Sequence, residues 1–221
     1  MKRKTLIAAQ IIAALAMTLP LGAAEKLGAK PGSKMRLEGT SNIHDWQVEG
    51  KLIGGYLEVD ENFPLEPGKE AKPGKVVVKG EIFVPIRSMS SLEKDGRPYS
   101  TKMDDIMYEK LLETTNKRIT FYPTELVLKE AAKDKTSPYV YDAKGNLAVA
   151  GVTNEVSFAV NVVPQGGDDR KIKISGTTSV KMSAFKIEAP APKIAMGMIK
   201  TGDDVKLIFD WVIGPPKKTA Q

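Results

Sequence analysis

The chain contains no cysteine among its 221 residues. Disulfide scaffolds, thiolate zinc sites, CxxC redox motifs, cysteine nucleophiles and a lipidated cysteine anchor are therefore excluded. A single histidine, His44, is too few for a multi-histidine metal site. Catalysis would have to rest on carboxylates, hydroxyls or lysines, so the sequence disfavours an enzyme and calls for no cofactor.

Aromatic residues and an excess of one charge are also scarce. Aromatics make up 6% of the chain, and 33 basic against 27 acidic residues give a formal net charge of +6. No stripe of lysines and arginines with interleaved aromatics is present, so we expect no nucleic-acid partner. The composition, with 42% hydrophobic and 27% charged residues, also disfavours disordered, collagenous and multi-span membrane classes.

The first 24 residues have the pattern of a secretory signal peptide. Residues 2–4 are basic, residues 6–21 are apolar apart from Gln10 and Thr18, and residues 22–24 are small. An uncleaved membrane anchor is the alternative, but the apolar run is shorter than the ~20 residues that span a bilayer.

This pattern predicts three regions in the chain. We expect a signal peptide over 1–24, one domain over 25–214 and a flexible tail over 215–221, where Pro215-Pro216-Lys217-Lys218 cannot continue a strand. Removal of the leader lowers the net charge from +6 to +3, because three basic residues leave with it. The mature protein is then only mildly basic.

Apolar and polar residues alternate along most of the remaining chain, which is typical of half-buried β-strands. The last such segment places Val205, Leu207, Phe209 and Trp211 on one face. We therefore expect eight or nine antiparallel strands. Their predicted bounds are 34–43, 45–53, 55–60, 75–86, 118–129, 146–151, 154–163, 171–182 and 203–213.

Turn signals separate these segments. Gly54-Gly55, Gly145-Asn146 and residues 165–168 indicate turns, and residues 64–74 indicate a loop. Pro123 interrupts one alternating segment and predicts a bend or a bulge there. The connections are mostly short, so sequential hairpins are expected.

One segment has helical rather than alternating periodicity. Thr101 is a candidate N-cap with Asp104 three residues later, and apolar residues follow at helical spacing up to Leu112. This pattern predicts one short helix among the strands.

An antiparallel set of this size must protect its edge strands, and closure into a barrel removes the edges completely. A barrel of about eight strands either fills with its own side chains or holds one slender ligand. The small residues Gly151, Ala159, Gly176 and Thr178 would leave room inside if their register points them inward. The sequence predicts an all-β, antiparallel barrel. It does not decide whether the interior is hollow or filled by side chains.

Six short segments occur in an order that resembles the YceI-like family. They are residues 39–46 followed by Gly50, residues 88–89, residues 103–104 with 107–109, residues 119–121, residues 151–153 and residues 200–205. The resemblance spans the whole mature chain. It implies a lipocalin-like, up-and-down barrel that is exported to the periplasm of Gram-negative bacteria and binds a polyisoprenoid chain inside.

The chain departs from the commoner form of that family in the helical region. Members of that form carry an Arg-Asp-x-His-Leu element, whereas Asp95-Gly96-Arg97-Pro98 here leads into residues 100–112 without a histidine. The difference falls where the head group of a lipid would sit. More of the sequence therefore supports the expectation of an apolar tail than supports any particular head group.

Aromatic and methionine side chains are the candidate ligand contacts. We expect the ligand-binding residues to be His44, Trp46, Met107, Tyr108, Phe121, Phe158, Phe185, Phe209 and Trp211. Five methionines, Met103, Met107, Met182, Met196 and Met198, would suit a flexible apolar tail if they surround the mouth, although core filling explains them equally well. Residues 187–202 are expected to form a loop over one end, with Phe185 as its anchor.

His44, Asp45 and Trp46 carry most of the polar chemistry in the predicted site. Successive strand residues point to opposite faces, so His44 and Trp46 share a face and a catalytic His44–Asp45 pair is not expected. The two residues either line the ligand entrance, or Trp46 packs in the barrel end while His44 bonds to a loop backbone. Ser41 lacks an oxyanion motif such as GxSxG, which disfavours a hydrolase.

Two pairs of adjacent aspartates are candidate calcium ligands. Asp104-Asp105 and Asp203-Asp204 lack the spaced oxygen ligands of a calcium loop, so we expect no metal and interpret Asp104 as a helix cap and Asp203 as a turn residue.

The sequence thus supports an exported carrier for a long isoprenoid lipid, such as a quinone or a prenyl phosphate. The alternative is a non-catalytic structural or stress-related envelope protein with a filled barrel, and an enzyme acting on lipid ranks third. Transient membrane contact and the oligomeric state are left open.

Overall fold

A computed structural model of the protein describes residues 24–194 and 197–216, without the side chains of 193–198. The predicted signal peptide up to residue 23 and the predicted tail beyond residue 216 lie outside the described residues. Within the described ranges, no helix is long and apolar enough to cross a bilayer.

Strands account for most of the described chain, with one α-helix between them. The first strands are β1 (Glu25–Ala29), β2 (Lys34–Ser41), β3 (Trp46–Gly50), β4 (Gly54–Val59), β5 (Gly74–Val76), β6 (Val78–Pro85) and β7 (Met89–Leu92). The helix α1 (Thr101–Lys110) follows. The later strands are β8 (Arg118–Glu130), β9 (Tyr139–Val149), β10 (Val152–Gly166), β11 (Lys171–Lys181), β12 (Lys193–Ile194), β13 (Gly197–Met198) and β14 (Thr201–Gly214). Short 3₁₀ turns lie at Ile86–Ser88 and Ser183–Phe185.

Eight strands close into an antiparallel barrel, which confirms the predicted fold class. The ring runs β1-β4-β6-β8-β9-β10-β11-β14 and returns to β1, where Gly28 pairs with Gly214 and Ala29 with Ile213. The other half of β14 pairs instead with β2, which is followed in the sheet by β3 and β7. The long strand β14 therefore joins the ring to a three-stranded extension.

The predicted alternation is present in the register. Trp211 on β14 pairs with Ile174 on β11, and Ile174 pairs with Val162 on β10, so these three side chains share the inner face. Lys173 and Asp210 alternate with them on the outer face, where their side chains form an ion pair of 3.1 Å. Burial of the inner row, beside an ion pair on the outer face that is only partly buried, fixes the register of this part of the barrel.

The turn predicted at Gly145-Asn146 is wrong, because both residues lie inside β9. Gly145 pairs with Val156 on one side and Pro123 on the other, and a Cβ there would lie 2.6 Å from Cζ of Phe121. The glycine is needed for this close approach of a ring from the neighbouring strand. The hairpin turn lies instead at Ala150–Gly151, where φ is +49° and +79°.

Pro123 and the small residues of the strands differ in how far they match the sequence predictions. The irregularity expected at Pro123 is present, since the register of β8 against β9 shifts between Pro123 and Glu125. Among the small residues, Thr178 and Gly176 lie on the inner face, whereas Ala159 is exposed on the outer face of β10 and Gly151 is in the turn. Ala159 therefore leaves no room inside the barrel.

Helix α1 lies within the predicted segment but begins with different capping contacts. Ser100 occupies the N-cap position, with φ −158°, and makes no side-chain capping bond. Asp104 does not cap the helix either, because its Oδ1 accepts a 2.6 Å hydrogen bond from the Ser91 amide of β7. The Asp104 side chain thus attaches the helix to the sheet extension.

Candidate functional site

The barrel encloses a cavity of about 1210 Å³ in the half that lies under α1. Its wall is mainly apolar and comes from the inner faces of the barrel strands and of the β2–β3–β7 extension. Deep wall residues include Met35, Ile53, Leu57, Val84, Leu126, Ala143, Val160, Val162, Ile174 and Trp211. The barrel is therefore hollow at this end, and we call the cavity the lumen.

The opposite half of the barrel is filled by its own side chains. Leu27, Val59, Phe63, Ile172 and Ile213 are each at most 1% exposed, and none of them borders the lumen. Packing of this density leaves no passage through the barrel. The lumen therefore has a mouth at one end and a closed floor at the other.

Two buried aromatic side chains each have a polar atom without a hydrogen-bond partner among the described residues: Trp211 Nε1, which borders the lumen, and the Tyr141 hydroxyl, which does not. Tyr141 is fully buried and stacks on Phe63 with 6.1 Å between ring centroids. Burial raises the pKa of the Tyr141 hydroxyl, so this group stays uncharged. No charged group lines the floor in the described chain, which makes it suited to an apolar chain end.

Three phenylalanines form a continuous aromatic surface halfway along the lumen. The centroid of Phe158 lies 5.4 Å from that of Phe121 and 5.9 Å from that of Phe209. The rings come from β8, β10 and β14, and each is only partly buried because it borders the lumen. Such half-exposed rings in a cleft are typical apolar contacts for a ligand.

The helix α1 covers part of the mouth. Met103, Ile106, Met107 and the following Leu111 border the lumen from this side. No α1 residue is fully buried, so the apolar face of the helix lies over the open lumen instead of a packed core.

Tyr108 does not border the lumen, unlike its predicted neighbour Met107. Its hydroxyl donates a 2.7 Å hydrogen bond to the Met89 carbonyl of β7, and the Arg87 guanidinium lies 4.5 Å from its ring centroid. Burial raises the pKa of the Tyr108 hydroxyl. Tyr108 therefore fastens α1 to the sheet.

A buried carboxylate holds the chain just after α1. The Glu113 side chain is 8% exposed and accepts hydrogen bonds from Arg87 Nη2 at 2.9 Å and Lys117 Nζ at 3.2 Å. These bonds, foremost that of Arg87, hold the pKa of the Glu113 carboxyl below its ordinary value. Together with Tyr108 they attach the helix at its C-terminal end.

The segment between β11 and β14 covers another part of the mouth. Phe185 is 3% exposed and borders the lumen, so its predicted role as the anchor of this loop is consistent with its position. Asp203 secures the turn, because its carboxylate accepts bonds from the Ser183 amide at 2.8 Å and the Ser183 hydroxyl at 2.6 Å. These bonds lower the pKa of Asp203.

His44 and Trp46 lie at the entrance, and both border the lumen. The Trp46 ring lies over Gly39, and its Nε1 donates to the Thr40 carbonyl at 3.2 Å. His44 Nδ1 lies 2.8 Å from the Asp45 carbonyl, and the Tyr99 hydroxyl lies 3.4 Å from His44 Nε2. The structure thus combines the two sequence interpretations, since His44 bonds to loop backbone, Trp46 bonds to the backbone of β2, and both residues also form the entrance.

The rim of the mouth carries charges of both signs. Glu38 pairs with Lys206 at 3.4 Å, and Lys110 pairs with Glu188 at 3.5 Å. The acidic, basic and histidine residues bordering the lumen are Glu38, His44, Asp45, Glu93, Lys94, Asp95, Lys110, Asp204 and Lys206. The polar rim and apolar interior match an amphiphile whose tail enters first.

Eight of the nine predicted contact residues border the lumen: His44, Trp46, Met107, Phe121, Phe158, Phe185, Phe209 and Trp211. Met103 and Met182 also border it, whereas Met196 lies outside the described residues and the side chain of Met198 is not described. Sequence reasoning missed the first-half contributors Met35, Ile53 and Leu57. The alternation of Met35 with Leu37 on β2 was the available signal.

The described residues contain no group of three or more His, Asp or Glu side chains placed to hold a metal ion. Asp104 and Asp203 bond instead to Ser91 and Ser183. The Ser41 hydroxyl donates to the His44 carbonyl at 2.7 Å.

Comparison with known proteins bears on the same domain. A family model described as YceI-like domain matches residues 33–213. The solved structure of Burkholderia cenocepacia BcnA is similar, with a TM-score of 0.56 and 17% identity over 81% of this chain and 95% of that one. A polyisoprenoid binding domain from Saccharophagus degradans implicated in plant cell wall breakdown has a TM-score of 0.59 and 11% identity over 87% and 99%. Comparison with curated proteins found no match.

Proposed function

This chain belongs to the YceI-like domain family, and from that premise we propose that it is an exported, non-catalytic carrier of a long isoprenoid lipid. The lipid tail lies in the lumen and the head group lies at the charged rim. The observation that carries the proposal is the apolar lumen of about 1210 Å³ with one closed end.

Two further observations support an isoprenoid tail. The similar structure from Saccharophagus degradans is that of a polyisoprenoid binding domain. The lumen wall combines aromatic rings with the methionines Met103, Met107 and Met182, whose flexible side chains adapt to a branched chain. A straight fatty chain would contact the same lumen wall. The chemical identity of the extracted ligand therefore distinguishes an isoprenoid tail from a fatty chain.

Transfer energies favour reversible carriage. Burial of one methylene is worth about 0.8 kcal/mol relative to water, so a five-carbon prenyl unit gains roughly 4 kcal/mol before losses. A bilayer hides the same tail about equally well, and ordering of the tail offsets part of the gain. The net preference between membrane and lumen is then near zero, which allows the protein to load and unload.

A hollow lumen disfavours the alternative of a filled barrel that acts only through its surface. The packed half of the barrel already supplies a core, with Phe63, Ile172 and Ile213 fully buried. An enzyme acting on lipid is disfavoured because His44 bonds to the Asp45 carbonyl, and Glu38 and Lys110 form ion pairs with Lys206 and Glu188.

The protein is exported in this proposal. The basic, apolar and small-residue pattern of residues 1–24 supports delivery through a signal peptide, and the resemblance to exported family members supports the periplasm as the destination. The head group, a quinone or a prenyl phosphate, would meet rim charges of both signs.

The test is mass spectrometry of organic extracts from the mature protein purified without detergent. We expect a prenylated lipid in stoichiometric amount, released on unfolding. Extracts of an outer-face variant such as Thr177→Leu serve as the matched control for handling losses. Repeated recovery of empty protein that also fails to take up a prenylated lipid from vesicles would refute the carrier.

A further inference from the structure

We propose that Trp211 is a length gauge: its indole forms the floor of the lumen and limits the extended length of the tail that fits. The inference rests on the proposed carrier function and makes it more specific. Trp211 is 2% exposed and borders the lumen.

Register places the floor at this residue. Trp211, Ile174 and Val162 pair across three neighbouring strands, and all three border the lumen. The next inward row toward the closed end contains Ile213, Ile172 and Pro164, which are buried and do not border it. The lumen therefore ends within one inward-facing row.

Trp211 is the largest side chain in the row that ends the lumen. Below it, Leu27 at 1% exposed and Phe63 at 0% continue the packed half of the barrel. A tail end that reaches the indole meets close-packed atoms that cannot yield without strain. Replacement of the indole by a small side chain would lower the floor by the depth of one ring.

The lipid enters tail first, so the end of the tail, and not the head group, contacts the floor. Charged side chains gather at the rim, whereas no charged residue of the described chain borders the lumen near Trp211. A charged head group pushed to this depth would lose its hydration without a partner. The stretch from Val205 to Trp211 is roughly 15 Å deep along the barrel axis, from the rise and tilt of barrel strands.

The experiment measures affinity against chain length with primary n-alkanols of increasing length. Each displaces anilinonaphthalene sulfonate from the mature protein, and calorimetry checks the strongest binders. In the unaltered protein, the affinity should rise about fourfold with each added methylene and then level off when the chain end reaches the indole. In Trp211→Ala the levelling should occur at a longer chain.

Leu207→Ala is the matched control, because Leu207 borders the lumen on the same strand but nearer the mouth. It should weaken all alkanols without moving the length at which the affinity levels off. Trp211→Phe provides a second variant if Trp211→Ala does not fold, with a smaller shift in the same direction. Circular dichroism establishes the fold of each variant.

The outcomes separate this inference from the proposal beneath it. If alkanols bind but the levelling length is the same in the Trp211 variants and in the unaltered protein, Trp211 is not the gauge and carriage still stands. If the affinity rises with length without levelling, the tail folds back and the gauge is likewise refuted. If neither alkanols nor prenylated lipids bind to the unaltered protein, the carrier function itself fails.

Discussion

Phe209 occupies the space that a side chain at Gly176 would need. The two residues pair across β11 and β14, and a Cβ at position 176 would lie 2.8 Å from Cζ of Phe209 and 3.0 Å from the Ala159 carbonyl oxygen. The glycine thus lets the Phe209 ring lie against the sheet and hold its place beside Phe158. At this level the Phe209 ring, and not residue 176, forms the wall of the lumen.

Gly176→Leu should destabilise the protein by overpacking. The new side chain must displace the Phe209 ring, and insertions of this kind typically cost about 1–3 kcal/mol. Urea unfolding followed by fluorescence measures the loss. Thr177→Leu, at the exposed neighbouring position, should be close to neutral, and equal stability of the two variants would contradict the packing described for Phe209.

Val180→Phe should reduce bound lipid more than it reduces stability. Val180 is partly exposed and borders the lumen near the mouth, so a larger ring extends into open space without displacing packed neighbours. Lipid recovered per mole of protein and the thermal midpoint are measured on the same preparation. Thr177→Phe on the outer face controls for added bulk, and a Val180→Phe protein with the full complement of lipid would count against a tail at this level.

The strongly alternating strands could be predicted from the sequence, and the weak ones could not. Residues 154–163 and 171–182 lie within or near β10 and β11, because alternation directly reports one buried face. The strand β1 has a single buried residue, Leu27, and β7 has only four residues, so neither shows a pattern. Long-range pairing stabilises both strands, and no local signal records it.

The lumen contacts could be predicted in part for the same reason. Alternation fixes which strand residues share a face, so the sequence predicts that Phe209 and Trp211 lie together. Adjacent helical residues differ by about 100° around the helix axis, and the face of α1 that covers the lumen depends on how the helix packs. The sequence alone therefore does not separate Tyr108 from Met107. A hollow and a filled barrel have the same alternation, so the lumen itself was not predictable.

The exported protein should begin at or within a few residues of Glu25. Glu25 starts β1 and pairs with Arg170 at 3.2 Å, and the next inward residue, Leu27, is 1% exposed in the packed half of the barrel. Cleavage much beyond Glu25 would remove a strand that closes the ring. Intact-mass analysis of protein from the periplasmic fraction checks this, and a membrane-bound form that retains Met1 would contradict export by a cleaved signal.

Glu113→Gln should weaken the attachment of α1 and remove part of the pH dependence of stability. The hydrogen bonds from Arg87 and Lys117 favour the ionised carboxyl and lower its pKa in the folded protein. A lowered folded pKa stabilises the protein above the ordinary value of 4.5, and this contribution is lost as the pH falls through the lowered pKa. The amide of the variant has no charge to lose.

Thermal unfolding of the unaltered protein and of Glu113→Gln, from neutral pH to below the ordinary carboxyl pKa of 4.5, measures the change in stability. Hydrogen exchange of the α1 amides at neutral pH measures the attachment of the helix. The difference in stability should be largest near neutral pH and should shrink as the pH falls below 4.5, while the α1 amides exchange faster in the variant. Glu109→Gln, at an exposed α1 position, controls for the loss of one negative charge. Because Arg87 also stacks on Tyr108, a loosened helix should release lipid faster from the Glu113 variant than from the Glu109 control. Parallel pH profiles for the unaltered protein and Glu113→Gln would show that this carboxylate does not hold the cover of the lumen.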